Sequence, residues 1–239
     1  MRLKLNIIGR RRPGTTLAEH RHHIRRIHGE EVLNYIRSDP SNAPARYVQN
    51  VVVDGRFRQP GIADDPFALN RDFVTQIWVA DFAALERTRS TEFYRTRLKD
   101  DEDRFVDQSN VVFLPCHERV IATRGVIPPS AWKVFVLFRR APDVDPEQFV
   151  HAWQCVARSA GDISLRHVQN DVLHLPGGPL PSVDAVDEFW LPDEAAAYSM
   201  LDEWSALIER ELVTTRLVVS GSAVSLLVRE DVIHAGAVD

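Results

Sequence analysis

The sequence predicts an α+β fold built from two copies of one β-α-β-β-α-β unit. Three matched pairs of segments carry that reading. "KLNIIGRRRPGTTLAEH" from Lys4 matches "KVFVLFRRAPDVDPEQF" from Lys133, with Lys, Arg, Arg and Pro in register. "RYVQN" at 46–50 returns as "RHVQN" at 166–170, and "TQIWVADFAAL" from Thr75 returns as "DEFWLPDEAAA" from Asp187. The pairs keep their order while their separations shrink, as duplication followed by loop deletions in the second copy would produce. The Pro-containing stretch "RGVIPPSAW" at 124–132 divides the copies, since it suits neither a helix nor a central strand.

The elements follow in order. Leu3, Leu5 and Ile7 alternate with Lys4, Asn6 and Ile8 in a first strand, and "KVFVLF" is its counterpart. Pro13-Gly14 breaks the chain. Thr16 with Glu19 three residues on forms a capping box that opens a helix, and Asp145, Pro146 and Gln148 hold the equivalent places in the second copy. "RYVQNVVV" and "FVTQIWVA" are β-branched and aromatic, and read as strands two and three. "DFAALERTRSTEFYRTRL" carries the helical spacing of the second helix, and "NVVFLPCHERVIAT" holds the last strand. Such a unit makes a four-stranded antiparallel sheet with both helices on one face. The other face, with Ile8, Trp78, Phe135, Leu137 and Trp190, needs a cover. Two sheets of one chain packed face to face supply it, as an intramolecular α+β barrel of residues 1–127 and 131–231.

Composition excludes several classes. At 44% hydrophobic and 26% charged residues the chain is an ordinary globular protein. No apolar run reaches the roughly 18 residues of a bilayer span, and "MRLKLNIIGRRRPG" is interrupted too soon for a signal peptide. A cytoplasmic location with no membrane partner is expected. Cys116 and Cys155, the only cysteines, read as free thiols and rule out a disulfide framework. A net charge of −5 argues against nucleic acid despite the basic "GRRRP", which lacks interleaved aromatics. The acidic run "KDDEDRFVD" at 99–107 reads as an exposed helix end or loop without calcium-loop spacing.

"RRRPGTTLAEHRHHIRRIHGEEV", "RYVQNVV", "TQIWVAD" and "DEDRFVD" together resemble the EthD-type domain of the dimeric α+β barrel superfamily, which is ferredoxin-like and is present here as a tandem pair. The resemblance covers nearly all of residues 2–125 and, more faintly, 131–229. The superfamily hosts isomerases, lyases, cofactor-free oxygenases and proteins of unassigned role; since no phosphate-binding glycine loop, haem-attachment motif, flavin fingerprint or nucleophile elbow appears, a small hydrophobic ligand and no cofactor are expected. The resemblance leaves homodimerisation open.

Four of the nine histidines lie in "EHRHHIRRIHGEE". At ~100° per residue Leu17, His20, Ile24, Ile27 and His28 share one face, with His22 opposite and His23 on the flank. Phe149, Trp153, Val156 and Ala157 stand at the corresponding places in the second copy, so that face is buried and two of its apolar positions are histidine in the first copy only. His28, before a Gly29 able to end the helix, is expected near the mouth as the proton-transfer residue, with a structural histidine bonded to backbone as the alternative. His20 is a weaker substrate contact. His20, His23 and His28 at i, i+3 and i+8 do not converge as metal ligands, so no metal is expected. Cys116 and His117 point to opposite faces of a strand and form no nucleophile pair. Strand parity sends Asn6, Gln76 and Trp78 to the sheet face away from the helices, where they and Tyr47 are expected to orient a substrate, with Gln49 and Asn50 as further donors. Arg10 and Arg11 could hold a carboxylate.

The function expected is a cofactor-independent lyase or isomerase working by acid–base chemistry on a hydrophobic, aromatic or polyketide-like carbonyl compound in catabolism or biosynthesis. The alternatives are a cofactor-free monooxygenase on a phenolic or anthrone-like substrate and a non-catalytic binding or accessory protein.

Overall fold

The computed structural model describes residues 2–59, 65–159, 164–174 and 181–236. Its strands are β1 (Leu3–Gly9), β2 (Arg46–Arg56), β3 (Phe73–Val79), β4 (Val112–Thr123), β5 (Trp132–Phe138), β6 (Arg166–Val172), β7 (Ala185–Leu191) and β8 (Val224–His234). Its α-helices are α1 (Leu17–His22), α2 (Gly29–Ser38), α3 (Phe82–Ser90), α4 (Lys99–Phe105), α5 (Pro146–Ser159) and α6 (Glu194–Ile208). The strands follow the order β1-β3-β2-β8-β5-β7-β6-β4 as a closed antiparallel barrel. This is the α+β architecture of the dimeric α+β barrel proteins, here within one chain.

The chain divides into two compact units. The first is Met1–Val52 with Arg71–His117 and Glu230–Asp239, and the second is Val53–Asn70 with Glu118–Arg229. In the first, β1 pairs with β3 and β4, and β3 pairs with β2. In the second, β5 pairs with β7 and β8, and β7 pairs with β6. The shortened loop expected around 157–165 lies partly outside the described residues.

Helix starts follow the expected side chains. Thr16 accepts from the Glu19 amide at 3.2 Å while the Glu19 carboxylate accepts from the Thr16 amide at 2.7 Å. Asp145 Oδ1 accepts from the amides of Glu147 and Gln148. Asp81 and Asp193 cap α3 and α6 in the same way. Before α1 the turn uses Gly14 at φ +87°, a left-handed conformation that costs a Cβ-bearing residue 1–2 kcal/mol or so.

Two helical expectations are corrected. Gly29 does not end its helix: its φ of −59° and ψ of −41° are right-handed helical, and the chain runs on through α2 to Ser38. Between α1 and α2 the residues His23–His28 form a π-helical turn, closed by the Gly29 amide donating to the Ile24 carbonyl. The second helix is divided. Thr91 takes an extended ψ of 150° after α3, a second π-turn spans Tyr94–Leu98, and α4 carries the acidic run as a packed helix with Asp101 and Phe105 buried.

Each unit has a core between its helices and its sheet. In the first, Leu5, Val32, Tyr35, Tyr47, Ile77 and Leu98 form one cluster, and Ile24, Phe73, Phe105 and Val106 another. In the second, Trp153 and Trp204 are fully buried, and both indole N–H groups donate to Asp187, at 2.9 and 3.2 Å. Two indoles thus fill the space between helices and sheet there.

Candidate functional site

The first unit leaves that space partly empty. A cavity of about 100 Å³ lies between its helices and its sheet, walled by Ile7, Ile24, Val32, Ile77, Leu98 and Phe105 among others. It approaches the ~150 Å³ of an apolar cavity able to take up benzene. Its polar lining is sparse: His28, Tyr47, Thr75, Thr88, Arg89, Tyr94, Glu102 and Gln108. An apolar space with few orienting polar groups is what a small-molecule site requires.

His28 is the histidine at this cavity. It is 7% exposed, and its Nδ1 lies 3.1 Å from Oδ2 of Asp101. His23 brings Nε2 to 2.8 Å from Oδ1 of the same carboxylate. Both imidazoles pack on Phe105, with ring centroids 5.0 and 4.8 Å away. Burial pushes the Asp101 carboxyl up, but the hydrogen bonds and charges of His28 and His23 outweigh it and hold the group below the usual aspartate value. Asp101 is therefore an anion at neutral pH. Such an anion favours the His28 tautomer with the proton on Nδ1, the nitrogen that faces it.

Beside this pair stand Glu102 and Tyr94, with the Tyr94 hydroxyl 3.2 Å from Glu102 Oε1. Burial raises the Glu102 carboxyl above the usual glutamate value despite the opposing charges of His28 and Lys99. Burial also raises the phenols of Tyr47 and Tyr94. Both stay neutral donors.

The turn that carries His28 is held from the sheet. Gln49 Nε2 donates to the Ile24 carbonyl at 2.6 Å and to the Tyr47 hydroxyl at 3.1 Å. A Cβ on Gly29 would sit 3.4 Å from that carbonyl and 3.5 Å from the Gln49 amide nitrogen, ordinary contact distances, so this contact does not itself require glycine. Gln169 makes the same kind of bond to the Trp153 carbonyl in the second unit.

The residues expected to share one site fall on two faces of the sheet. Tyr47 pairs with Ile77 in register and lines the cavity beside His28. Asn6 and Gln76 pair on the opposite face, where Gln76 Nε2 donates to Asn6 Oδ1 at 2.7 Å, Asn50 donates to Gln76 Oε1, and Asn6 donates to the Cys116 sulfur. Trp78 belongs to that face too, with Lys4 Nζ 4.9 Å from its ring centroid. Because successive strand residues alternate faces, Tyr47 cannot orient one substrate together with Asn6 and Gln76. His20 lies outside the cavity. It is 1% exposed, stacks on Phe73 and meets the Phe105 carbonyl through Nδ1 at 3.0 Å. Arg11 is committed to Asp72 at 2.8 Å.

Asp101, Glu102, Tyr94 and His23 were missed in the sequence. Leu98, Asp101, Glu102 and Phe105 fall at i, i+3, i+4 and i+7, a helical stripe inside the run read as a solvated end. Among the described residues no group of three or more His, Cys, Asp or Glu side chains is placed to hold a metal ion.

A barrel with a carboxylate-held histidine in an apolar space on its helix side defines an α+β barrel protein with a candidate acid–base site. Residues 12–109 match the EthD domain. No curated protein matches the chain in sequence. Among solved structures it is similar to a protein of Fusobacterium nucleatum subsp. nucleatum named as a candidate monooxygenase, with a TM-score of 0.60 at 7% identity over 100% of this chain and 96% of that one. An anthrone oxidase-like protein gives 0.58 at 14% identity over 99% and 97%. Chlorite dismutase from Candidatus Nitrospira defluvii, in complex with imidazole, gives 0.52 at 9% over 94% and 90%. At such identities these likenesses concern the fold.

Proposed function

We propose that the chain is a cofactor-free enzyme in which His28, oriented by Asp101, moves a proton to or from a small hydrophobic carbonyl or phenolic compound. The compound lies between the helices and sheet of the first unit. The observation that carries this reading is the 3.1 Å contact of His28 Nδ1 with a buried, ionised Asp101 at the wall of an apolar cavity. An imidazole so held keeps one tautomer and presents Nε2 as a base, while the neutral hydroxyls of Tyr47 and Tyr94 supply donors for an oxyanion. The first step is removal of a proton from an atom acidified by a neighbouring carbonyl or ring. Returned to another atom of the same compound, that proton makes the reaction an isomerisation; where the carbanion instead expels a β-substituent, breaking its bond to carbon, and the proton goes to that departing group, the reaction is an elimination.

The second reading is a cofactor-free monooxygenase, in which the deprotonated substrate gives electrons to dioxygen. The names of two structural relatives, a candidate monooxygenase and an anthrone oxidase-like protein, favour it. The size of the cavity suits a single ring, so a three-ring substrate requires the helices to part. The reading further holds that residues 1–127 and 131–231 are tandem ferredoxin-like repeats acting in the cytoplasm, the first carrying the site. Matching bridges Arg11 to Val106 and Arg140 to Val218 support the repeat.

Phenolic and β-dicarbonyl compounds incubated in D₂O with an oxygen electrode test the reading. Deuterium entering carbon without oxygen uptake marks the lyase or isomerase, and uptake of oxygen matched to product marks the monooxygenase. Saturable binding with neither leaves a carrier or accessory protein and overturns the catalytic proposal.

A further inference from the structure

Among the described residues, Arg139 of the second unit has no counter-charge. Arg139 directly follows β5. Its guanidinium makes no hydrogen bond or ion pair among the described residues, and its Nε is buried without a partner. Beside it lies Arg58, 7% exposed. Arg58 Nε donates to the Ser222 carbonyl at 2.7 Å, Nη2 to the Ser182 carbonyl at 3.1 Å, and Nη1 to Asp65 at 3.2 Å. That single carboxylate answers one of two positive charges. The two guanidiniums are close enough to repel, since the Arg139 charge adds to burial in disfavouring the charged form of Arg58. Both line a cleft of about 310 Å³ together with Val219, Ser220, Gly221 and Ser222.

The first unit shows what is missing. There the Asp107 amide donates to the Arg10 carbonyl at 3.0 Å, and in the second the Val219 amide donates to the Arg139 carbonyl at 2.9 Å. The two positions correspond in backbone. Asp107 brings a carboxylate, held low first by Ser109 and also by the charge of Arg10. Val219 brings none. A guanidinium that is partly desolvated and unpaired is costly, and its planar fork of donors matches a carboxylate or a phosphate.

We propose that this cleft binds an oxyanion group of a small molecule, a carboxylate or a phosphate, with Arg139 as the fork that holds it and Ser220 at its edge. Arg58 is the positioning residue: it fixes the Ser222 turn and adds a second positive charge behind the ligand. The ligand brings to Arg139 from outside a negative charge comparable to that of the Asp107 carboxylate near Arg10 in the first unit.

The test is titration of the full-length protein with inorganic phosphate and, separately, with acetate, followed by amide NMR in buffer with about 150 mM chloride, where the screening length is ~8 Å. Saturable shifts around Arg139 and Val219–Ser222 are expected with at least one anion, and the tighter of the two names the ligand class. Arg139→Gln should weaken binding at least tenfold. Val219→Asp, which restores an internal carboxylate, should do the same while leaving the thermal melt intact, so a folding defect in the first variant does not blunt the test. Absence of saturable binding of either anion to the wild-type protein, or unchanged affinity in a folded Val219→Asp variant, overturns the proposal.

Discussion

His23 and His28 stand five residues apart and meet the two oxygens of one carboxylate, that of Asp101. A regular α-helix turns them about 500° apart, which points them in different directions. The π-turn at His23–His28 carries more residues per turn, so positions i and i+5 come to one side. The inserted residue thus creates the site: one ring is oriented at the cavity wall and the other completes the hold on the same anion.

If His28 is the base, His28→Ala lowers the rate by about 10²- to 10⁴-fold with the fold intact. Stability should change by no more than roughly 1–2 kcal/mol, because alanine already stands at the corresponding Ala157. Asp101→Asn should also slow the reaction, since an amide no longer fixes the Nδ1–H tautomer. His22→Ala, on an exposed position, should do neither. Steady-state rates beside thermal melts check this. Loss of folding with a normal rate per folded molecule would make His28 structural.

Glu102 gives a pH signature. Its carboxyl, raised by burial, holds a proton at pH values where the unfolded chain, titrating near 4.5, has released it. The folded state then binds more protons, so stability falls as pH rises from 4.5 through the raised value. Glu102→Gln removes that loss. The variant should melt higher than wild type at pH 8, with the gap closing towards pH 4.5; parallel curves at all pH values would contradict a Glu102 carboxyl raised in the folded state.

His20 carries the opposite sign. Burial lowers its pKa below the ordinary 6.5, with only partial opposition from the Phe105 carbonyl. Below pH 6.5 the unfolded chain takes up a proton that the folded one refuses, so stability present above 6.5 is lost on acidification. His20→Phe copies Phe149 of the second unit, removes a buried Nε2 without a partner, and leaves the Phe105 carbonyl its bond from the Arg12 amide. A gain of ~1 kcal/mol is expected, together with a shallower decline between pH 6.5 and 5 in denaturant titrations. A destabilised variant with an unchanged acid limb would show that His20 is held for another reason.

Much of the fold was legible because its signals are local. Thr16, Asp145 and the alternation of "KLNIIG" each fix an element without help from elsewhere. The buried face of the first helix was legible too, because Phe149 and Trp153 mark it in the second copy. Most of the site was not. The π-turn is an insertion that periodicity at 100° per residue reads through, and it sent His23 to the flank. Asp101 was hidden among five acidic residues whose charge suggested solvent, although the spacing of Leu98 and Phe105 around it is amphipathic. The choice of sheet face for the ligand depended on which side was left unfilled, and that follows from packing volumes that no single strand encodes.

The most direct test of the central claim is the tautomer of His28, read from ¹⁵N chemical shifts of the imidazole during titration with phenol. Asp101 as acceptor requires Nδ1–H and a bare Nε2, and a ligand in the cavity should then move the Nε2 resonance. An Nε2–H tautomer with an Nε2 signal unmoved by phenol would contradict the account.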